Sequence, residues 1–171
     1  MDIKTVNLLL QNAIILIDTR EKAYNHITNY LNRKNIKYKK TKLDFGDYSI
    51  VIPSNGLLNY DINLSNIITI ERKANLNELS INLTKDRKRI KNEFERKTGK
   101  MILLVEDNYS NLVKGRYLSR MSTHAFNASL MTFANRYNIE LVFIQNKDDS
   151  AVFIRKNKNT RDFSDEMNCS K

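Results

Sequence analysis

Two carboxylates and one lysine stand out because of where they occur in the chain. Asp47 follows a glycine at a predicted turn, and Glu71 and Lys73 lie in segment 67–73, whose β-branched residues predict a strand. Residues two apart in a strand point to the same side, so Glu71 and Lys73 share one face and Arg72 lies on the other. Isoleucines before Glu71 predict an interior strand, where unpaired charge is costly. A functional cluster explains these charges better than an exposed charged face.

Hydrolysis of a phosphodiester bond is a reaction that two carboxylates and a lysine in one place can support. A divalent cation offsets the phosphate charge and lowers the pKa of water, and Mg²⁺ prefers carboxylate oxygens such as those of Asp47 and Glu71. Lys73 is suited to orienting the attacking water or stabilising charge on the phosphoryl oxygens. Gly46 followed by Asp47 is also an ordinary turn signal, and Asp with a later Glu-x-Lys matches many unrelated strands by chance. The short pattern therefore needs support from the rest of the chain.

The charge of the chain favours a polyanionic partner. Lys and Arg number 29 against 19 Asp and Glu, which gives a net charge of +10, and nucleic acid is the first candidate. The densest basic segment is the predicted helix 86–97, whose alternative interpretation is a solvated face with Glu93 and Glu95 as local partners. A second basic segment spans 114–120. We expect DNA contacts from Arg87, Arg89, Lys114, Arg116 and Arg120.

Hydrophobic periodicity predicts strands and helices in alternation. Strands are predicted at 13–18, 36–43, 48–52, 67–73, 101–106 and 140–144, and helices at 23–34, 76–83, 86–97, 122–137 and 148–155. Segments 36–43 and 48–52 are expected to pair as a hairpin, and 53–66 is expected to be a long surface connection. The fold class is therefore α/β, with a mixed central sheet flanked by helices.

Composition limits the remaining possibilities. Cys169 is the single cysteine, so an intrachain disulfide and a cysteine-based zinc site are excluded. The apolar runs near the N-terminus are far shorter than the roughly 20 residues of a membrane span, so neither secretion nor membrane insertion is indicated. We expect a cytoplasmic protein that does not bind membranes.

A longer pattern supports the site. Asp-Thr-Arg-Glu at 18–21, Gly-Asp-Tyr at 46–48 and Glu-Arg-Lys at 71–73 follow one another in this order. Together they resemble the XPF-type structure-selective endonuclease domain of the PD-(D/E)XK nuclease superfamily, in its stand-alone phage and bacterial form. The resemblance extends over residues 13–145. We therefore expect a nuclease domain at 13–156, an N-terminal extension at 1–12 and a polar, flexible tail at 157–171.

The resemblance implies a restriction-endonuclease-like sheet and a metal-dependent DNA endonuclease. The substrate implied is branched or flap DNA, or a junction of single and double strands, in repair, recombination or phage replication, and a homodimer is possible. Mg²⁺ or Mn²⁺ would be held by Asp47 and Glu71, with Lys73 assisting the nucleophilic water. The other residues would support the site. The implied catalytic residues are Asp18, Arg20, Asp47, Glu71, Arg72 and Lys73. By residue type alone, Asp18 is also suited to capping the helix that follows.

Two departures from the family pattern leave alternatives open. Asn77 stands where the family usually has an Asp, and the polar tail is too short for the helix-hairpin-helix module that commonly follows the nuclease domain. One alternative is a catalytically weak DNA-binding module that retains the nuclease fold. Another is a basic scaffold that recognises protein partners, because fold does not dictate function.

Overall fold

Strands and helices alternate along the residues described by the computed structural model, which are 3–56 and 58–157. The strands are β1 (Ile14–Asp18), β2 (Tyr38–Thr41), β3 (Tyr48–Ile52), β4 (Ile62–Asn63), β5 (Ile68–Lys73), β6 (Lys100–Val105) and β7 (Ile139–Phe143). The helices are α1 (Ile3–Gln11), α2 (Asn25–Arg33), α3 (Leu76–Leu83), α4 (Arg87–Arg96), α5 (Tyr109–Val113), α6 (Thr123–Tyr137) and α7 (Lys147–Asn157). Every predicted strand and helix is present, whereas α1, α5 and the short β4 were not predicted. The predicted flexible tail lies outside the described residues except for Asn157, which ends α7.

The strands form one mixed sheet in the order β2-β1-β3-β5-β6-β7, with β4 paired to β3. β1 and β2 run parallel, as do β5, β6 and β7. β3 runs antiparallel to both of its neighbours on this path, β1 and β5. The predicted mixed α/β sheet flanked by helices is therefore confirmed. Among the described residues, no helix is both long enough and apolar enough to cross a membrane.

The predicted hairpin of β2 and β3 is wrong, because β1 lies between them. Ile15 of β1 pairs with Tyr38 of β2 on one side and with Ile50 of β3 on the other. α2 connects β1 to β2, as the crossover between parallel neighbours requires. β3 is almost wholly buried, whereas β2 exposes its two lysines. Burial thus places β3 inside the sheet and β2 at its edge.

Alternation along the strands divides the core into two layers. On β6, Ile102 and Leu104 belong to one apolar cluster and Met101 and Leu103 to the other. The first cluster includes residues of α1, α2 and α7, and Leu9 of α1 is 1% exposed there. The second includes residues of α3, α4, α5 and α6. It contains an apolar stripe of α6 and a pair of α4 residues one helical turn apart, namely Phe126, Leu130, Phe133, Tyr137, Ile90 and Phe94.

Strand direction brings polar residues to one edge of the sheet. Asp18 and Lys73 end β1 and β5, and Glu106 follows β6, while the antiparallel β3 begins just after Asp47. The backbone N–H of Asp18 donates to the carbonyl of Asp47 at 2.8 Å, and the N–H of Asp47 donates to the carbonyl of Ile70 at 2.8 Å. On the other side of β5, the N–H of Glu106 donates to the carbonyl of Lys73 at 2.8 Å. Backbone hydrogen bonds thus hold polar residues that are distant in sequence next to one another at this edge of the sheet.

The turn that delivers Asp47 depends on Gly46. Its φ is +72°, in the left-handed region that favours glycine. A Cβ at this position would lie 2.8 Å from the Cβ of Thr69 and 3.3 Å from the carbonyl oxygen of Ile70. Both dihedral strain and close packing against β5 therefore select glycine here.

We predict that Gly46→Ala lowers the free energy of unfolding by about 2 kcal/mol, because strain and a steric clash add. Urea unfolding at neutral pH measures the change. Gly56→Ala is the matched control, since a Cβ there would meet nothing within 4 Å, and we expect a change within about 0.5 kcal/mol. Equal effects of the two substitutions would contradict the role given to Gly46.

Candidate active site

A cleft of about 440 Å³ opens at the edge of the sheet where the polar residues meet. Asp47, Glu71 and Lys73 all line it, so the structure brings together the three residues singled out in the sequence. α3 and α4 contribute the opposite wall. The remaining lining residues are Arg20, Glu21, Lys22, Ala23, Gly46, Arg72, Ala74, Glu78, Arg89, Glu93 and Arg96.

Asp47 is attached to the strand that carries the other two residues. Its Oδ2 accepts the backbone N–H of Arg72 at 2.8 Å. Burial raises the pKa of Asp47 well above its usual value, and the neighbouring Glu71 carboxylate raises it further. The two carboxylates therefore repel each other in a poorly solvated place, which favours binding of a cation between them.

Glu71 and Lys73 form a buried pair on one face of β5, as predicted. Lys73 Nζ lies 2.5 Å from Glu71 Oε1, and both side chains are 5% exposed. Burial raises the pKa of Glu71. Burial alone would lower the pKa of Lys73, but the Glu71 carboxylate outweighs it and raises that pKa above its usual value. Lys73 is therefore a charged ammonium at neutral pH.

Two buried side-chain atoms of cleft-lining residues lack a hydrogen-bond partner in the described part of the chain, namely Arg72 Nε and Glu71 Oε2. Glu71 Oε2 is buried and has no hydrogen-bond partner among the described residues, a costly arrangement that a bound cation would relieve. No group of three or more His, Cys, Asp or Glu side chains in the described ranges is arranged to hold a metal. Mg²⁺ nevertheless often binds through one or two carboxylates and keeps several waters. Asp47 and Glu71 thus fit Mg²⁺ or Mn²⁺.

Asp18 and Arg20 brace the segment that leads to Asp47. Asp18 is 1% exposed; its Oδ1 accepts the backbone N–H of Arg20 at 2.7 Å, and its Oδ2 accepts the N–H of Leu43 at 2.6 Å. Burial would raise the pKa of Asp18, but these bonds and those from the Arg20 side chain hold it below its usual value. The alternative that Asp18 caps the following helix is wrong, because α2 begins only at Asn25.

Arg72 lies on the face of β5 away from Glu71 and Lys73, where it joins a buried charge network. Its Nη1 donates to Glu106 Oε2 at 2.7 Å and its Nη2 donates to Glu21 Oε1 at 2.9 Å. His26 of α2 reaches the other oxygen of Glu106 at 2.7 Å. The network ties β5 to β6, α2 and the segment after β1. Neither Glu106 nor His26 was predicted to belong to the site. An acidic residue directly after a buried strand could have indicated Glu106.

The predicted DNA-binding residues fall into separate places. Arg89 lines the cleft and is within 3.7 Å of Glu93. Arg87 does not line it: its guanidinium lies 4.7 Å above the ring of Phe133. Lys114, Arg116 and Arg120 are exposed in the segment after α5. Arg96 and Lys22, which were not singled out, also line the cleft.

Asn77 supports a neighbouring loop. Its Oδ1 accepts the backbone N–H of Leu118 at 2.6 Å, and Asn77 is not among the residues that line the cleft. The next residue, Glu78, does line the cleft, where its Oε1 lies 3.8 Å from Lys73 Nζ. An acidic side chain therefore still faces the lysine from α3.

The mixed sheet with Asp47 at the start of one strand and Glu71 and Lys73 on the next defines an α/β domain of the PD-(D/E)XK nuclease type. Residues 17–156 match the model of the ERCC4 domain family, and the chain belongs to this family. The resemblance to the XPF-type nuclease domain is thereby confirmed. No curated protein matches the chain.

Two solved structures share the fold. XPF from Aeropyrum pernix has a TM-score of 0.59 and 19% sequence identity, with 83% of this chain and 58% of that chain covered. XPF from Aeropyrum pernix in complex with DNA gives a TM-score of 0.60, also at 19% identity, with 83% and 61% covered. The chain therefore spans less than two thirds of the length of either XPF chain.

We predict that Glu106→Ala lowers the free energy of unfolding by about 3 kcal/mol, because Arg72 is then buried without one of its two carboxylate partners. Thermal or urea unfolding measures this loss. Glu95→Ala is the matched control, since Glu95 pairs with Lys91 at a position where both side chains are 49% exposed; its effect should stay below about 1 kcal/mol. A loss no larger for Glu106→Ala than for the control would show that the buried network contributes little.

Proposed function

We propose that the chain is a metal-dependent DNA endonuclease that hydrolyses phosphodiester bonds, with branched or flap DNA as its substrate in repair, recombination or phage replication. The observation that carries the proposal is the convergence of Asp47, Glu71 and Lys73 in one cleft. The buried, unpartnered Oε2 of Glu71 supports a cation there. Membership of the ERCC4 domain family supports DNA as the substrate.

Each residue of the site has a defined part in the proposed reaction. Asp47 and Glu71 would hold Mg²⁺ or Mn²⁺, which would offset the phosphate charge and lower the pKa of water. The charged Lys73 donates a hydrogen bond to the attacking water or to a phosphoryl oxygen, where negative charge increases. The water oxygen forms a bond to phosphorus and releases one proton to solvent, one ester P–O bond breaks, and the departing oxygen takes up one proton from solvent. Glu71 and Glu78 keep Lys73 charged and oriented throughout.

Cations at the rim of the cleft position the substrate. Arg20, Arg89 and Arg96 border the carboxylates, and Arg side chains commonly contact the phosphate backbone without selecting sequence. Arg89 is 60% exposed, so its weak pairs with Asp86 and Glu93 can exchange for phosphate at small cost. XPF from Aeropyrum pernix, which shares the fold, has been solved in complex with DNA, and this supports DNA as the polyanion.

We predict that Asp47→Asn and Glu71→Gln each reduce cleavage by at least about 10³-fold, and that Lys73→Ala reduces it by about 10²- to 10³-fold. Labelled duplex, flap and four-way-junction DNA, each with Mg²⁺ or Mn²⁺, are the substrates to compare. Glu95→Gln, on the exposed face of α4, should cleave like the wild type.

Cleavage by Asp47→Asn at the wild-type rate would overturn the site assignment. Salt-sensitive DNA binding by the wild type, without cleavage in either metal, would overturn the enzymatic proposal and favour a DNA-binding module that retains the fold. Failure to bind DNA at low salt would instead favour a scaffold for protein partners.

We predict that Asp47→Asn raises the thermal stability of the metal-free protein, by about 1 kcal/mol in unfolding free energy. Burial and Glu71 raise the pKa of Asp47 in the folded protein. The charged carboxylate therefore destabilises the fold at pH values above the pKa that Asp47 has in the unfolded chain, and lowering the pH restores the lost stability. Thermal unfolding in EDTA at neutral pH tests the sign of this stability change.

Adding Mg²⁺ should raise the melting temperature of the wild type more than that of Asp47→Asn, because ligand binding to the native state stabilises it. Equal shifts would contradict metal binding at Asp47.

A further inference from the structure

A second concave surface lies along α3, between the end of this helix and the segment that follows α5. This groove has a volume of about 650 Å³ and is bordered by Thr84 and Lys85 on one side and by Leu118, Ser119, Arg120 and Met121 on the other. Leu118 is 84% exposed, the highest value among the large apolar residues exposed in the described part of the chain. A single exposed leucine is ordinary on a protein surface, so what distinguishes Leu118 is the groove and the charged side chains beside it.

The segment that carries Leu118 is held in place on both sides. The backbone N–H of Leu118 donates to Asn77 Oδ1 at 2.6 Å. The neighbouring Tyr117 packs edge-on against Phe126, with ring centroids 4.9 Å apart, and its hydroxyl donates to the carbonyl of Met121 at 3.1 Å. Leu118 is therefore presented outwards by an anchored backbone, which lowers the entropic cost of binding a ligand.

The charges at the groove point to a polyanion. Lys85 and Arg120 border it, and within the described ranges neither forms an ion pair or hydrogen bond, in contrast to Arg89 and Lys91 of α4. An apolar side chain between two unpaired cations suits a nucleotide, whose base has an apolar face and whose phosphate is anionic. A protein partner would need complementary acidic residues and an apolar side chain of its own.

α3 connects the groove to the active site. Glu78 near its start lines the cleft, and Asn77, directly before it, accepts the backbone N–H of Leu118 at the groove. Thr84, after the end of the helix, borders the groove on its other side. The groove therefore begins beside the cleft, and a strand whose phosphate occupies the cleft can reach Leu118 within a few nucleotides.

We propose that this groove binds an unpaired nucleotide of branched DNA, with Leu118 packed against the face of its base and Arg120 and Lys85 at its phosphate. Bases inside a duplex have both faces covered by their neighbours, so only an unpaired or terminal base offers a face to Leu118. The groove thereby selects the junction between single and double strands. This inference rests on the proposed function and deepens it, because it assigns the substrate preference to residues outside the catalytic cleft.

The test is a binding experiment without divalent metal, so that it does not depend on cleavage. Fluorescence anisotropy in EDTA compares one labelled duplex with the same duplex carrying a single-stranded flap, and with a flap whose first nucleotides are abasic. The wild type should prefer the natural flap over the duplex by about tenfold. Leu118→Ala should lose most of this preference while its affinity for the plain duplex stays unchanged.

The abasic flap shows whether Leu118 acts through the base. Removing the bases should weaken binding by the wild type and have little further effect on Leu118→Ala, because both changes remove the same contact. Leu8→Ala is the matched control, since Leu8 is a 50% exposed leucine of α1, on the opposite layer of the sheet. It should keep the wild-type preference.

Two results would overturn the inference: a wild type without flap preference, and a Leu118→Ala variant that retains the preference. If the variant that retains the preference has also lost a wild-type dimer in light scattering, Leu118 is a contact between copies. A flap preference that depends on Leu118, in a protein that never cleaves, would confirm the groove and refute only the nuclease proposal. Cleavage of duplex and flap at equal rates with no binding preference would refute the groove and the preference for branched DNA, and would leave the hydrolysis itself standing.

Discussion

The hydrogen bonds that join Asp47 to β5 fix the geometry on which the rest of the site depends. Its backbone N–H bonds to the carbonyl of Ile70 and its carboxylate accepts the N–H of Arg72. These bonds hold the Asp47 carboxylate beside Glu71 although burial, and then the charge of Glu71, raise the pKa of Asp47. Folding elsewhere in the sheet offsets this local cost, which is typical of functional sites.

β5 serves two purposes because its faces differ. Glu71 and Lys73 point to the cleft, while Arg72 points to the opposite face and is neutralised by Glu21 and Glu106. Arg72 has two carboxylate partners, although its Nε has no hydrogen-bond partner among the described residues, and the same holds for Glu71 Oε2 on the other face. The ion pairs of Arg72 support the strand that carries Glu71 and Lys73. A rigid support of this kind limits the freedom of catalytic side chains.

α3 and the segment after α5 extend the site beyond its carboxylates. Asn77 links them, since its side chain holds the backbone of Leu118. The amide therefore has a structural part at a position where the family usually has an acid, and Glu78 supplies the carboxylate that faces Lys73. Basic side chains border both the cleft and the groove, in keeping with the net positive charge of the whole chain.

The sequence by itself determined most of the strands and helices and the shared face of Glu71 and Lys73, because these follow from local periodicity and from the two-residue repeat of a strand. It did not predict α1, α5 or β4. The mixed sheet that it predicted is confirmed, but the antiparallel strand is β3 between β1 and β5 and not part of a hairpin. The sequence did not determine which strands are neighbours: the hairpin expected around Asp47 is absent, since β1 lies between β2 and β3. Nor did it show Glu106, His26 and Arg96 beside the site, or Arg87 over an aromatic ring. These contacts join residues far apart along the chain. Only burial of both faces of the sheet, which no local pattern encodes, brings them together.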